Sequence, residues 1–330
     1  MMQVERITAE EGLRDLLPEW RSLWRESLAA TPFQWPGWLM CWWHHYGTGR
    51  PVVLTARNGG RLVAVLPLYQ RDEPGCRKLL PIGVALSDYI DVLAAPEAPE
   101  AADRLMAEIA ATPGWDECFL PGIAADSALA RAACPADLIE APAAGTPCPV
   151  LNLRGAAGLA AVAPRKTMRD LHQARARAAA AGAVRIETVA ADTLDTAMHE
   201  LFRLHEARWR DRGESGVCDD PIVRGFHLCA ARSLASAGML RLYQWSMAET
   251  VLAVYYGFTA KGTAYAYLGG FDPAAPRLSP GTQIIAHAIE QAIGEGAHSF
   301  DFLRGAEAYK YAWGAVDRGT VVRRLRPRGR

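Results

Sequence analysis

Between Ser299 and Ala315 the chain reads SFDFLRGAEAYKYAWGA, which gathers Asp301, Arg304, Glu307, Tyr309, Lys310 and Tyr311 into one short stretch. A carboxylate there can take a proton from an ammonium nucleophile, and a phenol can return one to a departing thiolate. Asp301 alternates with Phe300 and Phe302, so in a strand it points away from their face and needs a partner if buried. Arg304, three residues on, has the fork to supply one. Two readings stand side by side: a structural Asp–Arg tie between strand end and loop, and a ligand site at a strand's carboxyl end, where open sheets bind ligands.

A second candidate is RLSPGTQIIAHAIEQAIGEG. Ser279 suits an N-cap, Pro280 the first helical turn, and Gly281 leaves the backbone open. Helix-start N–H groups favour anions, and Arg277 and Thr282 are placed to add contacts to a phosphate. An ordinary capped helix is the commoner meaning of such a start.

Basic segments come third. Residues 164–185 carry six Lys/Arg against one Asp, including Arg165, Lys166, Arg169, Arg175 and Arg177. The tail RGTVVRRLRPRGR carries six Arg. Either suits a polyanion, although solvated faces are the more frequent explanation. In LFRLHEARWRDRG, His205 shares a helical stripe with Leu201 and Leu204, which reads as a structural histidine. Asp272-Pro273 reads as a turn. There is no P-loop lysine, G-x-S-x-G or H-E-x-x-H, and seven irregularly spaced cysteines without C-x-x-C give no zinc spacing, so no metal is expected.

These residues need a scaffold. At 330 residues, 50% apolar and 22% charged, the chain suits two soluble domains. Its formal net charge of zero argues against DNA as a partner. The polar, acidic start and the lack of any long apolar span lead to a cytoplasmic protein without a transmembrane segment as the expectation. Residues 135–149, with four prolines, read as a linker or an irregular crossing between units.

The same order of elements recurs on both sides of it. In the first half, two strands flank Asn58-Gly59-Gly60, a hairpin signal. The strands DYIDVL and WDECFLPG follow, with helices near 98–111 and 124–133. In the second, MLRLYQW, TVLAVYYGF and TAYAYLGGF precede a helix over 280–294, the strand SFDFLRG and a last strand TVVRRL. RLVAVLPL matches TVLAVYYG and ECFLPG matches FDFLRG, with anchor separations of 55 and 49 residues, which suggests duplication. The first copy has Cys118 and Pro121 where the second has Asp301 and Arg304. The helix 280–294 is the crossover that sets its flanking strands parallel. Strand hairpins covered by helices indicate an α+β, or mixed α/β, class.

DYIDVL, LHEARW, GGFDP, the SPG helix start and DFLRGAEAYKYAWG occur in this order. Together they resemble the CelD-like branch of the GNAT acyltransferases, related to the FemABX peptidyltransferases. The resemblance implies two tandem GNAT-like units, a degenerate one over 1–150 and a catalytic one over 151–330. It also implies N-acyl transfer, acetyl or another acyl group, from acyl-CoA as co-substrate to a small amine or an envelope-polysaccharide sugar amine. Carried over by motif, Arg277, Ser279, Gly281, Thr282, Arg304 and Lys310 would bind the cofactor. Asp301 or Glu307 would be the base, and Tyr309 or Tyr311 the acid. The helix start has one glycine where the usual signature has two, so aminoacyl-tRNA remains as the lesser alternative donor. A GNAT-shaped binding protein without catalysis is the third reading.

Overall fold

The computed structural model describes residues 2–211, 213–214 and 216–329. The chain divides into two compact units, residues 1–147 with 318–330, and residues 148–317.

The first unit runs β1 (Gln3–Ile7), α1 (Glu10–Glu26), α2 (Pro36–Tyr46), β2 (Arg50–Asn58), β3 (Arg61–Glu73), β4 (Cys76–Pro81), β5 (Leu93–Ala94), α3 (Ala101–Ala111), β6 (Glu117–Ala124), α4 (Ala128–Arg131) and β7 (Leu138–Ala144). The second runs β8 (Cys148–Asn152), α5 (Arg165–Ala181), β9 (Val184–Thr188), α6 (Leu194–Asp211), α7 (Pro221–Ser236), β10 (Leu240–Met247), β11 (Thr250–Ala260), β12 (Thr263–Phe271), α8 (Pro280–Gly294), β13 (Ser299–Asp301), α9 (Ala308–Tyr311) and β14 (Val316–Arg318). The final strand, β15 (Thr320–Pro327), returns to the first unit.

The β2–β3 hairpin forms where Asn58-Gly59-Gly60 demands it, with both glycines at positive φ, 55° and 83°. That is the twist a tight hairpin turn requires. The aromatic stretch ahead of it is core, with Trp38 and Trp42 of α2 buried and the Trp38 indole donating to Ser87 Oγ at 3.0 Å.

The first sheet is ordered β1-β2-β3-β4-β6-β15-β7, with β5 on β3. The second, read from its opposite edge, is β9-β10-β11-β12-β13-β8-β14. Place by place the two agree. In each, one parallel pair, β4–β6 or β12–β13, sits at the same position and is joined through a helix, α3 or α8. The duplication expected from the short matches is therefore present as topology, β3 answering β11 and β6 answering β13.

Three expectations are corrected. The boundary at 150 falls instead after Pro147, and residues 318–330 belong with the first unit, not the second. The proline-bearing segment 135–149 is no linker, because β7 lies within it and pairs with β15 from Leu138↔Pro327 to Ala144↔Val321. The arginine-rich tail is no solvated tail, because β15 fills the gap between β6 and β7 and its charges are matched there. Arg323, 4% exposed, meets Glu140 at 2.6 and 2.9 Å and the carbonyls of Leu129 and Ala132 at 2.7 and 2.8 Å. Arg326 meets Glu117 at 2.8 Å. A buried guanidinium is tolerated only when its donors are used in this way.

In the second unit β11 is buried along most of its length, so it reads as a nearly continuous apolar run rather than an alternating one. Helices cover both faces of the sheet. Tyr243 and Tyr255 belong with Ile284 and Phe300 to the core under α8, and Tyr243 meets His287 of α8 at 5.0 Å. Tyr256 and Tyr267 face the other way, each against His227 of α7, at 5.9 and 5.5 Å. Alternation along a strand produces this division.

Helix α6 approaches β12 at Gly270, where a Cβ would lie 2.8 Å from His205 N, Leu201 O and Leu204 Cβ. Backbone cannot yield as a side-chain tip does. Gly270→Ala is expected to cost about 1–3 kcal/mol in a thermal or denaturant melt. Gly269→Ala, whose Cβ has only Val254 O at 3.7 Å, is expected to cost less than about 1 kcal/mol.

Among the described residues no helix is long and apolar enough to cross a membrane.

Candidate active site

Strands β12 and β13 pair only from Thr263↔Ser299 to Tyr265↔Asp301. Beyond that point β13 ends while β12 continues to Phe271, so the two part. Just past the last pair a bulge sets Tyr256 opposite Leu268 and Gly257 opposite Ala266, leaving Tyr267 as the extra residue. A bulge re-aims side chains and commonly lies beside an active site. A pocket of about 510 Å³ opens at the parting. Residues 266–273 line it, with Ser279–Thr282 at the start of α8, Thr167 of α5, Arg208 of α6, and Tyr309, Ala312 and Trp313 after β13. Its size and mostly apolar lining suit a small ligand or cofactor arm.

The α8 start is more constrained than an ordinary cap. Ser279 does not cap the helix with its hydroxyl, as the sequence led us to expect. It adopts a left-handed conformation (φ 51°, ψ 51°), and its hydroxyl turns back to Pro276 O at 3.4 Å. Such a conformation in a non-glycine residue is held by its surroundings and is concentrated at functional sites. Two residues hold it here. Gln283, 2% exposed, donates to Leu278 O at 2.7 Å, and Arg177 Nε donates to Arg277 O at 2.7 Å. The N–H groups of Gly281 and Thr282 belong to the first turn, where a helix provides no intrahelical acceptor. At Gly281 a Cβ would stand 2.8 Å from Phe271 Cδ1, so glycine lets the Phe271 ring lie against the helix start. Of the four residues expected here, Ser279, Gly281 and Thr282 line the pocket, while Arg277 is exposed and outside its lining.

The strand exit explains most of the DFLRGAEAYK motif. Asp301, 1% exposed, accepts from Leu303 N at 2.7 Å. Leu303 is left-handed (φ 60°), and Gly305 takes φ 111°. Lys310, expected to bind cofactor, is 3% exposed and turned inward. Its Nζ donates to the carbonyls of Leu303, Arg304 and Gly305 at 3.1, 2.7 and 3.1 Å and meets Glu307 Oε2 at 2.9 Å. An ammonium has three protons, and these acceptors consume them. Lys310 thus clamps the turn from which α9 carries Tyr309 to the pocket.

The remaining motif residues divide accordingly. Tyr309 lines the pocket at 45% exposure. Burial of its phenol, then the Glu307 carboxylate, push its pKa up to about 12, with Arg208 pulling the other way. Burial alone would raise the Glu307 pKa, but the hydrogen bond and charge of Lys310, with help from Arg208, hold it below the usual carboxylate range. Asp301, Arg304 and Glu307 stand at the strand exit, outside the pocket lining. Tyr311, expected as a possible acid, is also outside it, and its hydroxyl donates to Asp317 at 2.7 Å. A phenol bound to a carboxylate on the surface holds its proton there.

His205 is the structural residue expected. It is 3% exposed and accepts from the Trp209 indole at 2.9 Å, while burial, reinforced by Arg208, lowers its pKa to about 4. It is therefore neutral at physiological pH. Sequence reasoning missed Arg208, Phe271, Asp272 and Gln283. Arg208 alone left a signal, because it continues the 201, 204, 205 stripe by one turn and ends that buried face with a cation. Among the described residues no cluster of histidine, cysteine or acidic side chains is arranged to hold a metal.

A helix start and a phenol thus line one pocket where a parallel strand pair parts. Residues 165–311, within the second unit, match the family model of the acetyltransferase (GNAT) domain. Solved structures of like shape include FemX, with 12% identity, a TM-score of 0.68 and coverage of 97% of this chain and 96% of that one. L-PGS from Bacillus licheniformis has 9% identity and a TM-score of 0.52, covering 93% and 90%. A conserved protein of unknown function from Bacteroides thetaiotaomicron has 13% identity and a TM-score of 0.58, covering 99% and 100%. At such identities the likeness is one of fold. No curated protein matches the sequence.

Proposed function

We propose that this protein is an N-acyltransferase, moving an acetyl or other acyl group from acyl-CoA to the amine of a small molecule or sugar. The observation that carries this reading is one pocket lined both by the α8 start and by Tyr309, at the parting of β12 and β13. The donor's phosphates would take the N–H groups of Gly281 and Thr282 and the hydroxyls of Ser279 and Thr282. Strand β12 beyond Tyr265 has no β13 partner, so its backbone can polarise the thioester carbonyl. The amine nitrogen attacks that carbon, the C–S bond breaks, and Tyr309 protonates the thiolate.

For the amine's proton, Glu307 is the carboxylate with solvent access, acting through water, while Asp301 serves by holding the strand exit. With a depressed pKa, Glu307 is a weak base, so the amine must reach it close to its neutral form. Lys310 and Tyr311 leave the set of reacting groups. The test is calorimetric titration with acetyl-CoA, free CoA and bulk tRNA. Saturable CoA-ester binding is expected, weakened at least about 10-fold in Gly281→Asp, which sets a negative charge at the phosphate cradle and crowds Phe271. No CoA binding in the wild type would end this reading.

Aminoacyl-tRNA, the donor that the FemABX resemblance implies, is the second reading. It is favoured by exposed Arg165, Lys166 and Arg169 on α5, whose Thr167 lines the pocket. Arg175 and Arg177 are already engaged, with Glu290 and with Arg277 O. Salt-sensitive tRNA binding lost on neutralising the three exposed residues would support it.

A further inference from the structure

We propose that the first unit is a donor site closed by its own chain, with residues 82–92 filling the place that is a pocket in the second unit. The protein then takes one acyl donor per chain, in the second unit. The proposal rests on reading that pocket as the donor site, and adds how many donors the chain binds and what excludes another.

Three observations carry it. The first is register. Over the matched segments RLVAVLPL and TVLAVYYG, Leu68 answers Gly257, Val65 answers Val254 and Ala64 answers Ala253. Leu68 pairs with Pro81, and Gly257 with Ala266. Val65 and Ala64 pair with Leu93 and Ala94, while Val254 and Ala253 pair with Gly270 and Phe271. In both units the chain therefore leaves the central strand and rejoins it at equivalent points. Between those points the second unit has three residues, 267–269, and the first has eleven, 82–92. The insertion falls where the bulge of β12 stands in the second unit, within the 266–273 segment that lines the pocket.

The second is where the insertion goes. Strands β4 and β6 pair only at Lys78↔Glu117 and Leu79↔Cys118, so they part as β12 and β13 do. Past the last pair, Ile90 N donates to Gly122 O of β6 at 3.0 Å. Asp88 O lies 2.7 Å from where a Cβ on Gly122 would stand. Three residues after Ile90, Leu93 is already paired with β3. The segment thus bridges the parting from β6 to β3. It is also anchored. The Trp38 and Trp42 indoles donate to Ser87 Oγ at 3.0 Å and Val84 O at 3.1 Å, and Asp91 accepts from Val92 N and Leu129 N at 2.9 and 2.8 Å. Buried contacts and hydrogen bonds of this kind are what hold a segment closed against local opening.

The third is charge. Helix α3 answers α8 as the crossover helix. The first turn of α8 carries no acid, whereas α3 begins after Glu100 and has Asp103 in its first turn, accepting from Ala133 N at 2.9 Å. Acids at a helix start already satisfy the dipole that a phosphate would use, and they repel the phosphate. The first unit lacks both the space and the cradle.

The test uses the full chain. Calorimetric titration with acetyl-CoA reads the stoichiometry, and hydrogen–deuterium exchange follows residues 82–92 with and without acetyl-CoA. One equivalent is expected to bind, and 82–92 to be protected in the free chain and to stay so in the complex. Gly281→Asp is expected to weaken the whole isotherm at least about 10-fold and to uncover no second class of site. Thr282→Ala removes only an exposed hydroxyl of the α8 cradle, and should weaken the same single isotherm up to about 10-fold with the melting curve unmoved.

Two equivalents in the wild type would overturn the proposal, with the pocket reading intact. So would fast exchange of 82–92 in the free chain, or loss of its protection when acetyl-CoA binds, which would make the segment a lid. Binding of one equivalent untouched by Gly281→Asp and Thr282→Ala would place the donor outside the α8 cradle and overturn both readings. Failure of the wild type to bind acetyl-CoA removes the pocket reading, and this proposal with it.

Discussion

Tyr309→Phe is expected to lower kcat about 100-fold, the usual contribution of a positioned proton donor, while the KM for acyl-CoA changes less than about threefold. The substitution removes one hydroxyl and keeps the edge-to-face contact with Phe302, whose centroid is 6.3 Å away, so the melting curve should hardly move. Tyr311→Phe is the control. Its hydroxyl belongs to Asp317, and turnover should stay within about twofold of wild type. The pH profile adds an independent sign. A phenol raised to about 12 keeps its proton across the working range and loses it only above that value. The alkaline limb of kcat should therefore show no loss from this group between about pH 7 and 10, where a tyrosine at its ordinary value of about 10 would already be titrating. An intact kcat in Tyr309→Phe would remove it as the acid.

Lys310→Met is expected to cost about 3 kcal/mol, since it takes a charged donor from three carbonyls and leaves the Glu307 carboxylate without its partner. In a unit of this size that corresponds to a fall in Tm of roughly 6–12 °C. Arginine should not rescue it, because its planar fork does not fit three carbonyls converging on one point. Turnover should fall by more than the folded fraction does, because Tyr309 follows immediately from the turn that Lys310 holds. Had Lys310 been a cofactor ligand, the result would invert: a near-normal melt with a raised KM for acyl-CoA. Melting curves and steady-state kinetics on the same preparation separate the two.

The motif that drew attention first was thus a correct signpost to a place and a mixed guide to roles. Asp301, Arg304, Glu307, Tyr309, Lys310 and Tyr311 do gather around one strand exit. Which of them face the ligand depends on a left-handed Leu303 and a single turn of α9, and neither leaves a signal in residue type. Arg208 stands more than ninety residues before that motif and enters the pocket only because α6 lies against β12 at Gly270.

What the sequence determined by itself was local and periodic. Hairpins followed from glycines that tolerate positive φ, α8 from its apolar spacing and proline start, and the parallel pairing of β12 and β13 from the length of a crossover that no hairpin can replace. The duplication was legible too, because equivalent strands repeat a short pattern in the same order. Tertiary structure alone decided the partners of the strands that close each sheet. Strand β15 joins β6 and β7, with side-chain contacts such as Arg326 to Glu117 reaching 209 residues along the chain, and β8 takes the corresponding place beside β13. A strand's own sequence specifies which of its faces is buried. It does not specify which edge it completes, because backbone hydrogen bonds are the same for every partner and selection comes from buried matches such as Arg323 with Glu140, made only once the chain has folded.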